Sequence, residues 1–177
     1  MNSNRKTHNL VVGGVIAALY VALTYAQEFI LPGTATMAVQ FRLSEALTVL
    51  SLFTPAAIPG LTVGCFIANF TSVGALPMDV VLGTLASFLA CFTMYELRKI
   101  CFKNVPFLSL LMPAIFNGII IGLEIEIFFI EGNFHFLSFL IQGGLVALGE
   151  VAVLFTAVLL LFKIIKNKNL EKYLFSI

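Results

Sequence analysis

Long apolar runs separated by short polar breaks set the layout of this chain. The first runs from about Leu10 to Phe29 and ends at "LPGTAT", where Pro32 and Gly33 interrupt a helix before a short loop. The second, about Leu43 to Phe53, is stopped by "TPAAIPG". At about 1.5 Å per residue it is short for a full membrane crossing, so tilt, an earlier start near Met37 or shielding by neighbours is expected. The third begins near Ala57, with Pro59 tolerated in its first turn, and ends near Phe70. The fourth spans about Met78 to Leu97, before the polar break "RKICFKN". The fifth spans about Phe107 to Ile130, before the turn "EGNFHF", and the sixth about Leu137 to Ile165. The tail, Lys166 to Ile177, is polar, with an amphipathic turn expected at the interface. These runs are too long, and alternate too little, to be strands.

The pattern predicts an all-α integral membrane bundle of six transmembrane helices in a single domain, residues 1–177. Composition agrees, since 60% of residues are hydrophobic and 11% charged, against about a quarter charged in a soluble domain. The net charge of +1 says little, but its distribution orients the chain. With the N-terminus cytoplasmic, six spans put Arg5, Lys6, Arg98, Lys99, Lys103, Lys163, Lys166, Lys168 and Lys172 on the cytoplasmic side, as the positive-inside tendency asks. Both termini are then cytoplasmic, and only Arg42 is left outside. Glu28, Glu45, Asp79, Glu124, Glu126, Glu131 and Glu150 fall in the outer loops or within the spans.

Several classes drop out. Arg5 and Lys6 before Leu10 to Ala26 also fit a signal peptide, but this apolar stretch exceeds the usual core of about 7 to 15 residues, which favours a membrane segment. Cys65, Cys91 and Cys101 lack CxxC or histidine spacing and are expected to be small buried hydrophobes, not a disulfide framework or a zinc site. There is no basic patch for nucleic acid, and no HExxH, GxSxG or GxxxxGK[ST] motif. The chain is therefore not expected to be an enzyme, to hydrolyse ATP, or to hold a metal or cofactor. His8 is expected to be solvated and His135 to lie on an outer surface.

Stripes of small residues recur four apart: Gly14, Ala18, Ala22 and Ala26, then Gly60, Gly64 and Ala68, then Gly118 and Gly122. Such stripes let helices approach closely in lipid, so ordinary packing within the bundle explains most of them. Ionisable groups at membrane depth cost about 3 kcal/mol each and mark candidate function. Glu124 and Glu126 lie on the fifth segment, Glu150 near the middle of the sixth, and Glu45 and Asp79 at outer ends of the second and fourth. Asn117 and Glu124, seven apart, share a face, whereas Glu126 points elsewhere and goes to the outer interface or a neighbouring helix. Asn69, near the outer end of the third segment, joins the same outer pocket. Arg42 and Glu45, three apart in "QFRLSEAL", are neighbours on one helix face at a wet outer mouth, either as an ion pair or as ligand contacts. Ser44 is a cap or packing residue.

"VQFRLSEALTVLSLFTPAAIPGLTVGCFIANF", Val39 to Phe70, followed by "MDVVLGTLAS", Met78 to Ser87, resembles the QueT family of queuosine-precursor transporters, substrate-binding S components of energy-coupling factor (ECF) transporters. "FNGIIIGLEIE" and Gly149–Glu150 fit the same pattern, and Ser51 departs from it where a proline is expected. The resemblance implies a multi-pass protein of the prokaryotic plasma membrane that captures a deazapurine from outside. It implies docking on an ECF transmembrane subunit with two ATPase subunits, and toppling in the membrane to deliver the load. An Ala-xxx-Ala docking stripe on the first helix corresponds here to Ala18 and Ala22, with Gly14 and Ala26.

A precursor such as 7-aminomethyl-7-deazaguanine has a cationic amine and a guanine edge with adjacent N–H donors. Carboxylates suit both through charge-assisted hydrogen bonds. The expected binding residues are Arg42, Glu45, Asn69, Asp79, Asn117, Glu124 and Glu150, with Glu45, Asp79 and Glu124 as acceptors and Phe41 or another aromatic over the flat face. The outer loop Ile30 to Val39 is expected to act as a lid. The competing readings are an S component for another vitamin-like solute, a solitary proton-coupled carrier working through Glu124 or Glu150, and a ligand-free membrane scaffold.

Overall fold

Prolines and a capping carboxylate mark several of the helix ends in this apolar chain. The computed structural model describes residues 3–34, 41–72 and 76–170. Helix α1, Ser3–Ile30, is 28 residues long and ends where Pro32 and Gly33 follow, with Gly33 at φ +80°. A 3₁₀ helix, Leu43–Leu52, comes next. α2 spans Ala57–Thr71 and α3 Pro77–Leu97. Pro77 opens α3 where its missing N–H costs nothing, and Asp79 accepts the Leu76 backbone N–H at 2.7 Å, closing the first turn. Residues 98–106 turn back through an isolated bridge between Phe102 and Val105. α4, Phe107–Leu110, and α5, Met112–Glu124, are separated at Leu111 because Pro113 has no N–H for the Ser109 carbonyl and its ring crowds that carbonyl. A π turn, Ile125–Phe129, extends α5. α6, Phe136–Val153, a second π turn, Leu154–Val158, and α7, Leu159–Asn167, complete the described chain.

The fold is all-helical, with no strand among the described residues. Four stretches are long and apolar enough to cross a membrane: Arg5–Ile30, Pro77–Leu97, Phe107–Phe129 and Phe136–Asn167. The two shorter apolar helices, Leu43–Leu52 and Ala57–Thr71, bring the apolar helical segments to six. The short second segment is shielded, as its length demands. Eight of its ten residues, from Ser44 to Leu52, are buried, so lipid is replaced by protein nearly all round it. Its winding also lengthens it, since a 3₁₀ helix rises about 2.0 Å per residue against about 1.5 Å for an α-helix. Val49, Leu50 and Leu52 join Leu61, Met94, Val153 and Phe162 in the apolar core, and Phe53 stacks on Phe162 at 5.9 Å.

Glycines set how closely the long helices approach. A Cβ at Gly60 would lie 2.6 Å from the Gly13 carbonyl oxygen, and one at Gly64 would lie 2.8 Å from the Tyr20 Cβ, so α1 and α2 touch backbone to backbone. On the other side of the bundle, a Cβ at Gly122 would fall 2.6 Å from the Gly143 Cα. The stripes on the third and fifth sequence segments are thus internal packing surfaces. Gly14, Ala18, Ala22 and Ala26 differ: all four are exposed, and a Cβ at Gly14 meets nothing within 4 Å.

Three expectations need correction. Cys101 is exposed, because it sits in the polar turn after α3, while Cys65 and Cys91 are buried. The sixth segment is not one regular helix but is interrupted by a π turn. Arg42 does not share a helix face with Glu45, since its backbone is extended at φ −114°, ψ 103° just before the 3₁₀ helix begins. Residues 35–40, which carry most of the expected lid and the start near Met37, lie outside the described residues, as do Lys172 and the tail from 171 on.

The contrast between the two glycine environments is testable. Gly60→Val should destabilise the purified protein by about 1–3 kcal/mol through overpacking, whereas Gly14→Val should leave its melting temperature unchanged. Thermal melts in detergent of both variants beside the wild type check this.

Candidate functional site

Glu45 lies in the first turn of the 3₁₀ helix and is 1% exposed. The wet outer mouth expected for it is therefore corrected: Glu45 is enclosed by α1, α3 and its own helix. Its Oε1 accepts the Tyr20 phenol at 2.6 Å and the Ser87 hydroxyl at 3.5 Å, while Oε2 has no partner. Ser87 also lies 3.2 Å from the Cys65 thiol, so α1, α2 and α3 meet at this carboxylate.

A second acidic group lies between α5 and α6. Glu150, 4% exposed, accepts from Asn117 Nδ2 at 2.8 Å, a bond that ties the two helices where the glycines have drawn them together. A third is Glu124, the last residue of α5. It is 3% exposed, its Oε1 is unpartnered, and its carboxyl group is within hydrogen-bonding reach of Asp79. Asp79 uses Oδ2 to cap α3 and sits at the partly buried edge of the cluster. Two carboxyl groups in contact repel unless a proton or a cation lies between them.

Arg42 connects these groups. Its guanidinium is within electrostatic range of Tyr20, Glu45 and Glu150, and of Glu124. Around one arginine the fold therefore gathers Glu45, Glu150, Glu124 and, through Glu124, Asp79, an arrangement with more acid than base. Asn69 stands beside the cluster, donating Nδ2 to the Asp79 backbone carbonyl at 3.3 Å and lying 3.5 Å from the Cys65 sulfur. It clasps α2 to the start of α3. Glu126 points away, as its spacing from Glu124 requires, and accepts the His135 backbone N–H at 2.9 Å across the turn into α6.

Two further residues were not singled out from the sequence. Tyr20 is one. The other is Gln27, 3% exposed, whose amide bonds both ends of the outer loop. Its Nε2 donates to Thr34 Oγ1 at 2.9 Å and to the Phe41 carbonyl, and its Oε1 accepts the Leu43 N–H at 2.6 Å. A backbone bond from Phe41 N–H to the Thr34 carbonyl, 3.0 Å, closes the same neck. Gln27 thereby fixes the residues on either side of Arg42. A signal existed: Gly13, Tyr20 and Gln27 recur every seven residues, so at about 100° per residue they form one face of α1, opposite the exposed small-residue stripe.

The arrangement contains no reacting triad or phosphate cradle among the described residues. What it offers is a set of buried acceptors, two of them unpartnered, at a junction of most of the bundle's helices. Comparison with known proteins adds identity. The QueT transporter family model matches residues 10–167. A protein of Lactococcus lactis subsp. cremoris (strain MG1363) named "Queuosine precursor transporter QueT" is 32% identical over 173 residues, covering 94% of this chain and 98% of that protein. No solved structure matches the chain.

The Gln27 clamp yields a prediction. Gln27→Ala removes an acceptor for the Leu43 amide, so hydrogen exchange at Leu43 should accelerate at least tenfold while amides in the middle of α3 keep their protection. Exchange mass spectrometry of the two proteins measures it.

Proposed function

The chain belongs to the QueT transporter family, and on that premise we propose that it captures a queuosine precursor, a 7-deazaguanine, on the outer side of the membrane. The family and the relative are transporters, not enzymes, and the protein is a multi-pass protein of the cell membrane. The observation that carries the substrate reading is the pair of buried, unpartnered carboxylate oxygens, Glu45 Oε2 and Glu124 Oε1, on two glutamates that both lie within electrostatic range of Arg42. Burying such an oxygen without a partner costs about 1–3 kcal/mol or more. A solute that brings hydrogen-bond donors and positive charge recovers that cost on binding.

A 7-deazaguanine supplies those groups. Its ring edge carries adjacent N–H donors that one carboxylate accepts together, and an aminomethyl substituent carries an ammonium for another. Glu45, Glu124 and Asp79 serve as the acceptors, and Asn117, anchored on Glu150, faces the same centre. Asn69 acts from the rim through the start of α3, and Phe41, next to Arg42 in the chain, is the aromatic proposed to cover the flat ring. The outer loop Ile30 to Val39 is proposed as the lid, and Gln27 ties the described residues at its two ends.

Delivery is proposed to follow the S-component scheme, with both termini cytoplasmic. In it, the loaded protein docks on an ECF transmembrane subunit energised by two ATPase subunits. Support comes from the exposure of Gly14, Ala18, Ala22 and Ala26, which no helix among the described residues covers. A continuous small-residue face toward lipid suits close approach of a partner helix. A proton-coupled carrier working alone is the second reading, favoured by the contact between Glu124 and Asp79.

Two measurements test these proposals. Glu45→Gln, Asp79→Asn and Glu124→Gln should each weaken binding of 7-aminomethyl-7-deazaguanine to the purified protein by about tenfold or more, the loss of one charge-assisted bond. Unchanged affinity in all three overturns the site. Ala18→Leu with Ala22→Leu should abolish uptake by cells while leaving binding and melting temperature intact. Uptake that persists without any ATPase partner and collapses with the proton gradient would instead establish the carrier.

A further inference from the structure

The two oxygens of Glu45 are not equivalent. Oε1 carries the 2.6 Å bond from the Tyr20 phenol and a marginal 3.5 Å contact from Ser87, and Oε2 carries none. A phenol donating to a carboxylate is a charge-assisted bond, short and directional, so it sets the rotation of the carboxylate about its last side-chain torsion. The Ser87 hydroxyl is too distant to do this and is shared with Cys65. Arg42 is a third neighbour, within electrostatic range of the group.

Tyr20 is itself firmly held. It is 2% exposed, and its Cβ sits where a Cβ on Gly64 would come within 2.8 Å, so the glycine in α2 is what allows the tyrosine to reach across to the 3₁₀ helix. A phenylalanine would fill the same apolar volume. The hydroxyl therefore adds no apolar packing; it donates to Glu45 and also lies within hydrogen-bonding reach of the Cys65 thiol.

We propose that Tyr20 is a positioning residue for solute binding: by engaging Oε1 it fixes the Glu45 carboxylate with Oε2 turned toward the bound 7-deazaguanine. This rests on the reading above that Glu45 meets the solute. Tyr20 acts through Glu45 and makes no contact with the solute itself. Without the phenol, the carboxylate is free to turn toward Arg42 or Ser87 and presents no single oxygen.

The experiment is a double-mutant cycle read by calorimetric binding of 7-aminomethyl-7-deazaguanine to the full-length protein. Tyr20→Phe should weaken binding about tenfold, Ser87→Ala no more than about twofold, and in a Glu45→Gln background Tyr20→Phe should add no further loss. A purely structural role would instead lower affinity equally in both backgrounds. As a variant that keeps size and fold, 3-fluorotyrosine at position 20, a more acidic phenol, should alter affinity only when Glu45 is present. Equal affinity of wild type and Tyr20→Phe, or an undiminished Tyr20→Phe effect in the Glu45→Gln background, overturns the proposal while leaving the substrate reading intact. A wild-type protein that binds no 7-deazaguanine overturns both.

Discussion

A carboxylate taken out of water must be compensated, and this protein places four of them, Glu45, Glu124, Glu126 and Glu150, at 4% exposure or less inside an otherwise apolar bundle. Each acid in such a position costs several kcal/mol unless donors or a counter-charge answer it. The compensation comes from different parts of the chain. Tyr20 on α1 answers Glu45, Asn117 on α5 answers Glu150, and Arg42 serves several at once. Most of the helices around the centre are thereby tied to it, so the arrangement of the bundle and the electrostatics of its interior are the same problem.

The glycines make that solution possible. Tyr20 reaches Glu45 only because Gly64 lets α1 lie against α2, and Asn117 reaches Glu150 only because Gly118, Gly122 and Gly143 bring α5 and α6 into backbone contact. Close packing of this kind supplies the attraction that lipid does not. It also leaves α1 with two functions on opposite faces. One holds the acidic centre and the outer loop, and the other presents Ala18, Ala22 and Ala26 outward. A helix built this way links the centre to the surface without any additional element.

The helical segments were legible because membrane helices are written in long apolar runs, and the observed ends of the second, third and fourth fall within a residue of those read from the sequence. The pairing of Asn117 and Glu124 on the buried side of α5, and the divergence of Glu126, followed from helical arithmetic alone. Other features were not legible for physical reasons. Nothing local separates a 3₁₀ from an α winding over Leu43–Leu52, since that choice is made by the surrounding protein. The depth of Glu45 depends on a tyrosine 25 residues earlier. Tyr20 and Gln27 escaped notice because attention to charge passes over neutral donors, and the break at Leu111 escaped notice although Pro113 announces it.

The 3₁₀ helix carries one more implication. Ten residues wound at about 2.0 Å each span roughly 5 Å more than the same residues at about 1.5 Å, and the two windings differ by about 20° of rotation per residue. Rewinding Leu43–Leu52 toward α would therefore shorten the strut that carries Glu45 and swing its carboxylate around the axis in a single movement. Depth and direction of this acid are then geared together, so any event that relaxes the coil toward α also withdraws the acceptor from whatever it holds.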